Sequence, residues 1–157
     1  MKLKSLVMMI LGIVITAQTY ADPKVDKPTK DHQSVLNCFV KSYLNTDYKM
    51  LKEVLSRDAV FTSNRYEEVV NHDAEDILAL MKQNNGVKQE NCQVNSTVLS
   101  QSDAIVIARV DVHYELFEGD QQNFVVIEKN KAGEWRITKV YKIFVPSEKA
   151  RKVIAKN

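Results

Sequence analysis

The sequence predicts an α+β domain in which three N-terminal helices pack on a curved, mainly antiparallel sheet. Three observations carry that prediction. Apolar residues recur at helical spacing in three segments between residues 35 and 81. From residue 87 onward the period changes to two. Short runs such as Asn45-Thr46-Asp47 and Asn84-Asn85-Gly86 mark the breaks between segments. At 157 residues, 45% of them hydrophobic and 27% charged, the chain fits one modest core and excludes both a large multidomain enzyme and wholesale disorder.

Residues 1–21 read as a signal peptide. Lys2 and Lys4 form a positive start, residues 6–17 are apolar apart from Gly12 and Thr16, and Thr19-Tyr20-Ala21 places small residues where a signal peptidase cuts. The apolar run is shorter than the ~20 residues needed to span a bilayer. No Cys follows it, so there is no lipid attachment point, and the expected product is periplasmic or secreted. Residues 22–31, with Pro23, Pro28 and several charges, have nothing to bury and read as a flexible leader.

The domain is expected to occupy residues 32–146. Val35, Leu36, Phe39, Val40, Tyr43 and Leu44 share one face of a first helix; Asp47 is an N-cap candidate for a short second helix carrying Met50, Leu51, Val54 and Leu55. Residues 57–62 suit a short strand. Asp73 then caps a third helix with Glu75 and Asp76 in its first turn, where the helix dipole favours anions, and Gly86 suits the left-handed position that ends it.

In the second half, Val106, Ala108, Val110, Val112, Tyr114 and Leu116 alternate with Arg109, Asp111, His113 and Glu115, as in a strand with one buried and one wet face. Residues 118–120 turn into a return strand over 124–127, and residues 131–133 turn again. Trp135, Ile137, Tyr141, Ile143 and Val145 mark the inward phase of the last strand, leaving Arg136, Thr138, Val140, Lys142 and Phe144 outward. Residues 147–157 read as a solvated basic tail.

Loss of residues 1–21 removes two of 22 basic residues and none of the 20 acidic ones, leaving a formally neutral domain. Such a domain has no electrostatic footprint for nucleic acid and no reason to bind a membrane after cleavage. Cys38 and Cys92 are the only cysteines, and in an oxidising compartment the expected state of such a pair is a disulfide. Their spacing matches no zinc pattern, the three histidines do not converge along the sequence, and no cofactor motif is present, so no metal or cofactor is implied.

The order of elements, with the strings Phe39-Val40-Lys41-Ser42-Tyr43-Leu44-Asn45-Thr46-Asp47, Leu55-Ser56-Arg57-Asp58-Ala59-Val60-Phe61 and Gly133-Glu134-Trp135-Arg136-Ile137, resembles the nuclear transport factor 2-like superfamily over residues 35–145. That superfamily shares a cone-shaped, cystatin-like α+β roll with steroid isomerases and polyketide cyclases of the SnoaL-like type. The resemblance implies a pocket between sheet and helices and often a homodimer through the sheets. It does not imply catalysis. The steroid isomerase pattern needs a tyrosine oxyanion donor, a carboxylate base and a protonated acid, and the handed-down positions here fall on Phe39, Ser63 and, loosely, Ile127. A phenyl ring donates no hydrogen bond and an unassisted serine is far too weak a base, so no catalytic residue is assigned.

What remains is a pocket set and a surface set. Tyr43, Tyr66, Tyr114, Tyr141 and Trp135 are either core residues or the lining of an aromatic pocket. Lys139 is the one polar residue in phase with Trp135, Ile137 and Tyr141. Either a bulge turns it outward or its ammonium enters the pocket as an anion-binding group. Arg109, Asp111, His113, Glu115, Val140 and Phe144 form the expected dimer face, a patch mixing both charge signs with apolar side chains. The reading is an exported, non-catalytic domain that binds a small apolar ligand or a protein partner; the alternative is an isomerase, dehydratase or cyclase using Tyr43, Tyr66 or Lys139.

Overall fold

The protein is described by a computed structural model over residues 27–65, 68–115 and 119–146. The expected signal peptide, the start of the expected leader, Tyr66, residues 116–118 and the expected basic tail lie outside the described residues. In chain order the elements are a 3-10 turn (Pro28–Lys30), α1 (His32–Asn45), α2 (Tyr48–Val54), β1 (Leu55–Arg65), β2 (Glu68–Asp73), α3 (Ala74–Gln83), β3 (Cys92–Gln101), β4 (Ile105–Tyr114), β5 (Gly119–Lys129) and β6 (Trp135–Pro146). The strands form one sheet in the order β2-β1-β6-β5-β4-β3, antiparallel throughout except where β1 runs parallel to β6.

The helices start where their capping residues allow. Asp31 accepts from the Ser34 N–H at 2.8 Å, Asp47 accepts from the Lys49 and Met50 N–H groups, and Asp73 accepts from the Asp76 N–H at 2.9 Å. Each carboxylate satisfies donors that the first helical turn leaves open. Thr46 ends α1 in the left-handed region at φ 48°, a costly conformation for a β-branched residue. Its hydroxyl donates to the Val87 carbonyl, and the Gly86 and Gln89 N–H groups return bonds to the Thr46 and Leu44 carbonyls, which ties the 84–91 loop to the end of α1.

α1 packs over β4 and β6, α2 over β6, and α3 over β1 and β2, so the helices cover one face of the sheet. Val35, Leu36, Phe39, Leu51, Val54 and Phe61 meet Val106, Val110, Val125, Ile127, Ile137 and Val140 in the core between them. The structure departs from the sequence reading at the ends of several elements; Leu55, for one, opens β1 rather than closing α2. The leader is already ordered at Pro28–Lys30, because Thr29 is buried and this turn packs on α1, α2 and β6. β2 was not expected, so the third helix is separated from the first two by a hairpin.

The larger correction concerns β6. Ile127 pairs with Ile137 but Val126 pairs with Lys139, which leaves Thr138 as an extra residue in the ladder. A one-residue bulge swaps the two faces of everything beyond it. Lys139 is therefore exposed, Val140 is fully buried, and Tyr141 and Ile143 face outward at 41% and 38% exposure. Val140, expected on the dimer face, is core. The Thr138 hydroxyl is left buried without a hydrogen-bond partner, a local cost of the bulge.

The expected disulfide is not formed in this structure. Cys38 and Cys92 are both free thiols. Cys38 lies on the flank of α1 that feels Glu53 of α2, and burial raises its thiol pKa. Cys92 shares a cavity with Val40 and Leu44, and at 100° per residue Val40 points about 160° away from Cys38 around the helix. Alkylation of the unfolded, unreduced protein is accordingly expected to label two thiols per chain; mass analysis showing none labelled would restore the bridge.

Candidate functional site

The helix-facing side of the sheet is apolar up to the middle of the strands and polar beyond. Along β6 the inward residues are Val140, Lys142 and Phe144, which pass from fully buried to 61% exposed. Register places Lys142 between Ser63 on β1 and Asn123 on β5, all on the same face. α1 closes this point from above. The Lys142 Nζ contacts the Tyr43 hydroxyl and lies 4.7 Å from the centre of the Tyr43 ring.

Burial lowers the Lys142 pKa from its ordinary 10.5 to about 8. Desolvation of the ammonium is the cause, and no neighbouring carboxylate offsets it among the described residues. Asn123 is buried to 1% exposure; its Nδ2 donates to the Val110 carbonyl at 3.4 Å, and its Oδ1 accepts from Gln121 Nε2 at 2.8 Å. Tyr114 faces the same space, where burial, and secondarily Cys92 beside it, raises the phenol pKa.

Two spaces adjoin this cluster. Between α1 and β3–β5, Phe39, Tyr43, Cys92, Tyr114 and Asn123 enclose about 10 Å³, room for roughly one water molecule. On the other side of Tyr43, an open groove of about 230 Å³ runs between the ends of α1 and α3 and the 84–91 loop, walled by Leu80, Met81 and Val87. Leu80 and Val87 are 57% and 56% exposed. Tyr43 is common to both spaces.

The structure thus brings together Tyr43 and Tyr114 of the expected pocket and excludes the others that it describes. Trp135 is buried at the opposite end of β6, edge-on to His32 at 5.5 Å and under the Lys129 ammonium at 4.7 Å. Tyr141 and Lys139 face outward. Lys142, not Lys139, is the lysine on the inner face, against Tyr43. Of the isomerase positions, Phe39 lines the cavity, Ser63 stands beside Lys142 and Ile127 is core. Lys142, Asn123 and Gln121 were missed. Asn123 was visible as a polar residue in phase with Val125 and Ile127; Lys142 was not, because its phase depends on the bulge.

On the outer face, Arg109 Nε donates to Asp111 at 2.8 Å, Gln122 Nε2 donates to Asp111 at 3.0 Å, and His113 Nδ1 meets Asp120 at 2.5 Å. Glu115 is exposed just past β4. Val60, Ile107, Tyr141 and Ile143 are exposed on this face. Phe144 instead belongs to the inner face, which corrects its assignment to the dimer patch. Among the described residues no three His, Cys, Asp or Glu side chains gather as a metal site.

No protein-family model and no curated protein sequence matches the chain. Solved structures do match. A nuclear transport factor 2-like protein of unknown function from Shewanella baltica OS155 superposes with a TM-score of 0.60 at 12% identity, covering 73% of this chain and 91% of its own. A cystatin-like fold protein from Burkholderia xenovorans LB400 gives 0.59 at 11%, covering 78% and 95%. A protein from Parabacteroides distasonis ATCC 8503 named as a candidate ketosteroid isomerase gives 0.55 at 12%, covering 72% and 86%. The chain has the nuclear transport factor 2-like fold. At these identities the likeness is one of fold, and function rests on the site itself.

Proposed function

We propose that this is an exported, non-catalytic cone-fold domain that binds a small apolar molecule bearing an anionic head group. The observation that carries the reading is Lys142: a partly buried ammonium beside the Tyr43 hydroxyl, with no carboxylate to pair with it among the described residues. A desolvated cation without an anion gains most from a ligand that supplies one. The groove beside Tyr43 offers about 230 Å³, below the ~300 Å³ at which drug-sized pockets begin, so it suits a short aliphatic chain. An acid–base enzyme would need a carboxylate or imidazole aimed into the same space, and none of the described lining residues is either.

Octanoate is the direct probe. Titration calorimetry is expected to show one site per chain in the wild type and at least a tenfold weaker one in Lys142→Met, the loss typical of a charge-assisted hydrogen bond of about 1.5–3 kcal/mol. Equal binding by both proteins would remove Lys142 from the function.

Export rests on the order of charged, apolar and small-residue segments in residues 1–21. Intact-mass measurement of secreted or periplasmic protein should show a chain starting at Asp22; full-length protein confined to the membrane fraction would contradict it.

A homodimer through the outer faces is supported by the exposed Val60, Ile107, Tyr141 and Ile143 beside the Arg109–Asp111 and His113–Asp120 pairs, a mixture that a two-fold axis can make self-complementary. Changing both Tyr141 and Ile143 to Glu should turn a dimer into a folded monomer in sedimentation equilibrium at micromolar concentration. A wild-type monomer at that concentration would end the proposal.

A further inference from the structure

The Lys142–Tyr43 pair invites a use beyond holding an anion. An ammonium is a binding group, whereas a neutral lysine is a nucleophile. Four features meet at this amine. It stands where the inner face passes from the buried Val140 to the exposed Phe144, so it is partly desolvated and still reachable. Its nearest partner is a phenol rather than a carboxylate. Ser63 and Asn123 flank it in the register of the neighbouring strands, putting a hydroxyl and an amide beside any oxygen bound there. The groove walled by Leu80, Met81 and Val87 begins on the other side of Tyr43.

We infer that Lys142 captures small aliphatic aldehydes or ketones covalently, as a reversible imine, with Tyr43 as the proton relay. The inference rests on the reading of this face as a ligand site. In the first step the neutral Nζ attacks the carbonyl carbon; a C–N bond forms, the carbonyl π pair moves to oxygen, and one nitrogen proton passes to that oxygen to give a carbinolamine. In the second, Tyr43 gives its proton to the carbinolamine hydroxyl, which leaves as water while the nitrogen lone pair closes the C=N bond. The resulting iminium returns its remaining exchangeable proton to the tyrosinate. One water is released and no electron is transferred, so no oxidant or reductant is required. The depressed Lys142 pKa supports this, since far more of this amine than of an ordinary lysine is neutral near pH 7.

The test is trapping. Full-length mature protein is incubated with hexanal at pH 7 and sodium cyanoborohydride, which reduces the imine to a stable secondary amine, and the modified lysine is located by peptide mass spectrometry. The expected result is a single hexyl adduct on Lys142, formed at least about tenfold faster than on any other lysine, in keeping with the pKa difference. Lys142→Arg, which keeps the charge and cannot form the imine, should give only slow, scattered labelling. Tyr43→Phe should keep the site of labelling and slow it severalfold, provided that circular dichroism shows the fold intact. Labelling spread evenly over the lysines, with Lys142 no faster than the rest, would overturn the inference. If that happens while octanoate still binds through Lys142, the capture chemistry fails and the binding reading stands. If octanoate binding is also absent, the binding reading fails with it. Selective labelling without octanoate binding supports the capture and overturns only the anionic head group.

Discussion

Replacing Val140 by glutamate is expected to leave no cooperatively folded protein. Val140 is fully buried against Phe61 and Val125, its neighbours in register on β1 and β5, and the space is filled by the core cluster. The substitution removes an apolar side chain worth about 1.5–3 kcal/mol and puts a carboxylate where no cation or donor waits for it, which costs several more. The sum approaches the whole stability of a small domain, about 5–15 kcal/mol. Ile143→Glu, three residues on and on the outer face, should still fold cooperatively, because it leaves the core intact and costs at most the proposed outer-face contact. The pair of variants tests the bulge directly. Unbroken alternation along β6 predicts the opposite pattern, so a folded Val140→Glu with an unfolded Ile143→Glu, by circular dichroism and thermal melting, would place the residues after Thr138 on the wrong faces.

Lys142→Met should stabilise the protein while weakening the proposed octanoate binding at least about tenfold. The folded state holds the ammonium at a pKa of about 8, and the unfolded chain returns it to about 10.5. Below pH 8 both states are protonated and the desolvation penalty is fully present. Between about 8 and 10.5 the unfolded chain binds the proton and the folded protein does not, so stability rises with pH; above 10.5 the two states titrate no further. Methionine fills a similar volume without the charge. The expected gain near pH 7 is about 1–3 kcal/mol, declining to little by pH 10.5. Denaturant melts of both proteins across pH 7–10.5 measure it, because contributions from other groups cancel in the difference. A variant less stable than wild type at pH 7 would mean that the Tyr43 contact outweighs the desolvation. A gain in stability coupled to a loss of binding is the signature of a group kept for function.

The helices were legible because their signals are local. Asp47 and Asp73 cap the turns that follow them, Gly86 takes the left-handed position at φ 83° that ends the α3 segment, and the apolar faces of α1 and α3 each repeat over about two turns. β4 was legible for the same reason, with five inward residues alternating with charged ones. β2 was not. Its only apolar residues, Val69 and Val70, are adjacent, Val69 is 65% exposed, and the strand exists because β1 offers it an edge. A strand held by pairing rather than by burial leaves no periodic trace.

The site divides in the same way. Sequence alone determined the α+β class and the cone order of elements, and that the positions the resemblance assigns to isomerase chemistry fall on Phe39, Ser63 and, loosely, Ile127, because composition, period and side-chain chemistry are properties of the residues themselves. It also carried a constraint that went unused: Lys139 and Lys142 differ in parity, so no single register along the end of β6 can put both ammonium groups in water. Which of the two is buried is decided by what each choice buries alongside it. The bulge at Thr138 takes Val140 into the core against Phe61 and Val125, frees Lys139 to solvent, and leaves Lys142 facing Tyr43. That exchange weighs one strand against its neighbours in the sheet and the helix above it, none of which is close in sequence, so only the tertiary structure could make it.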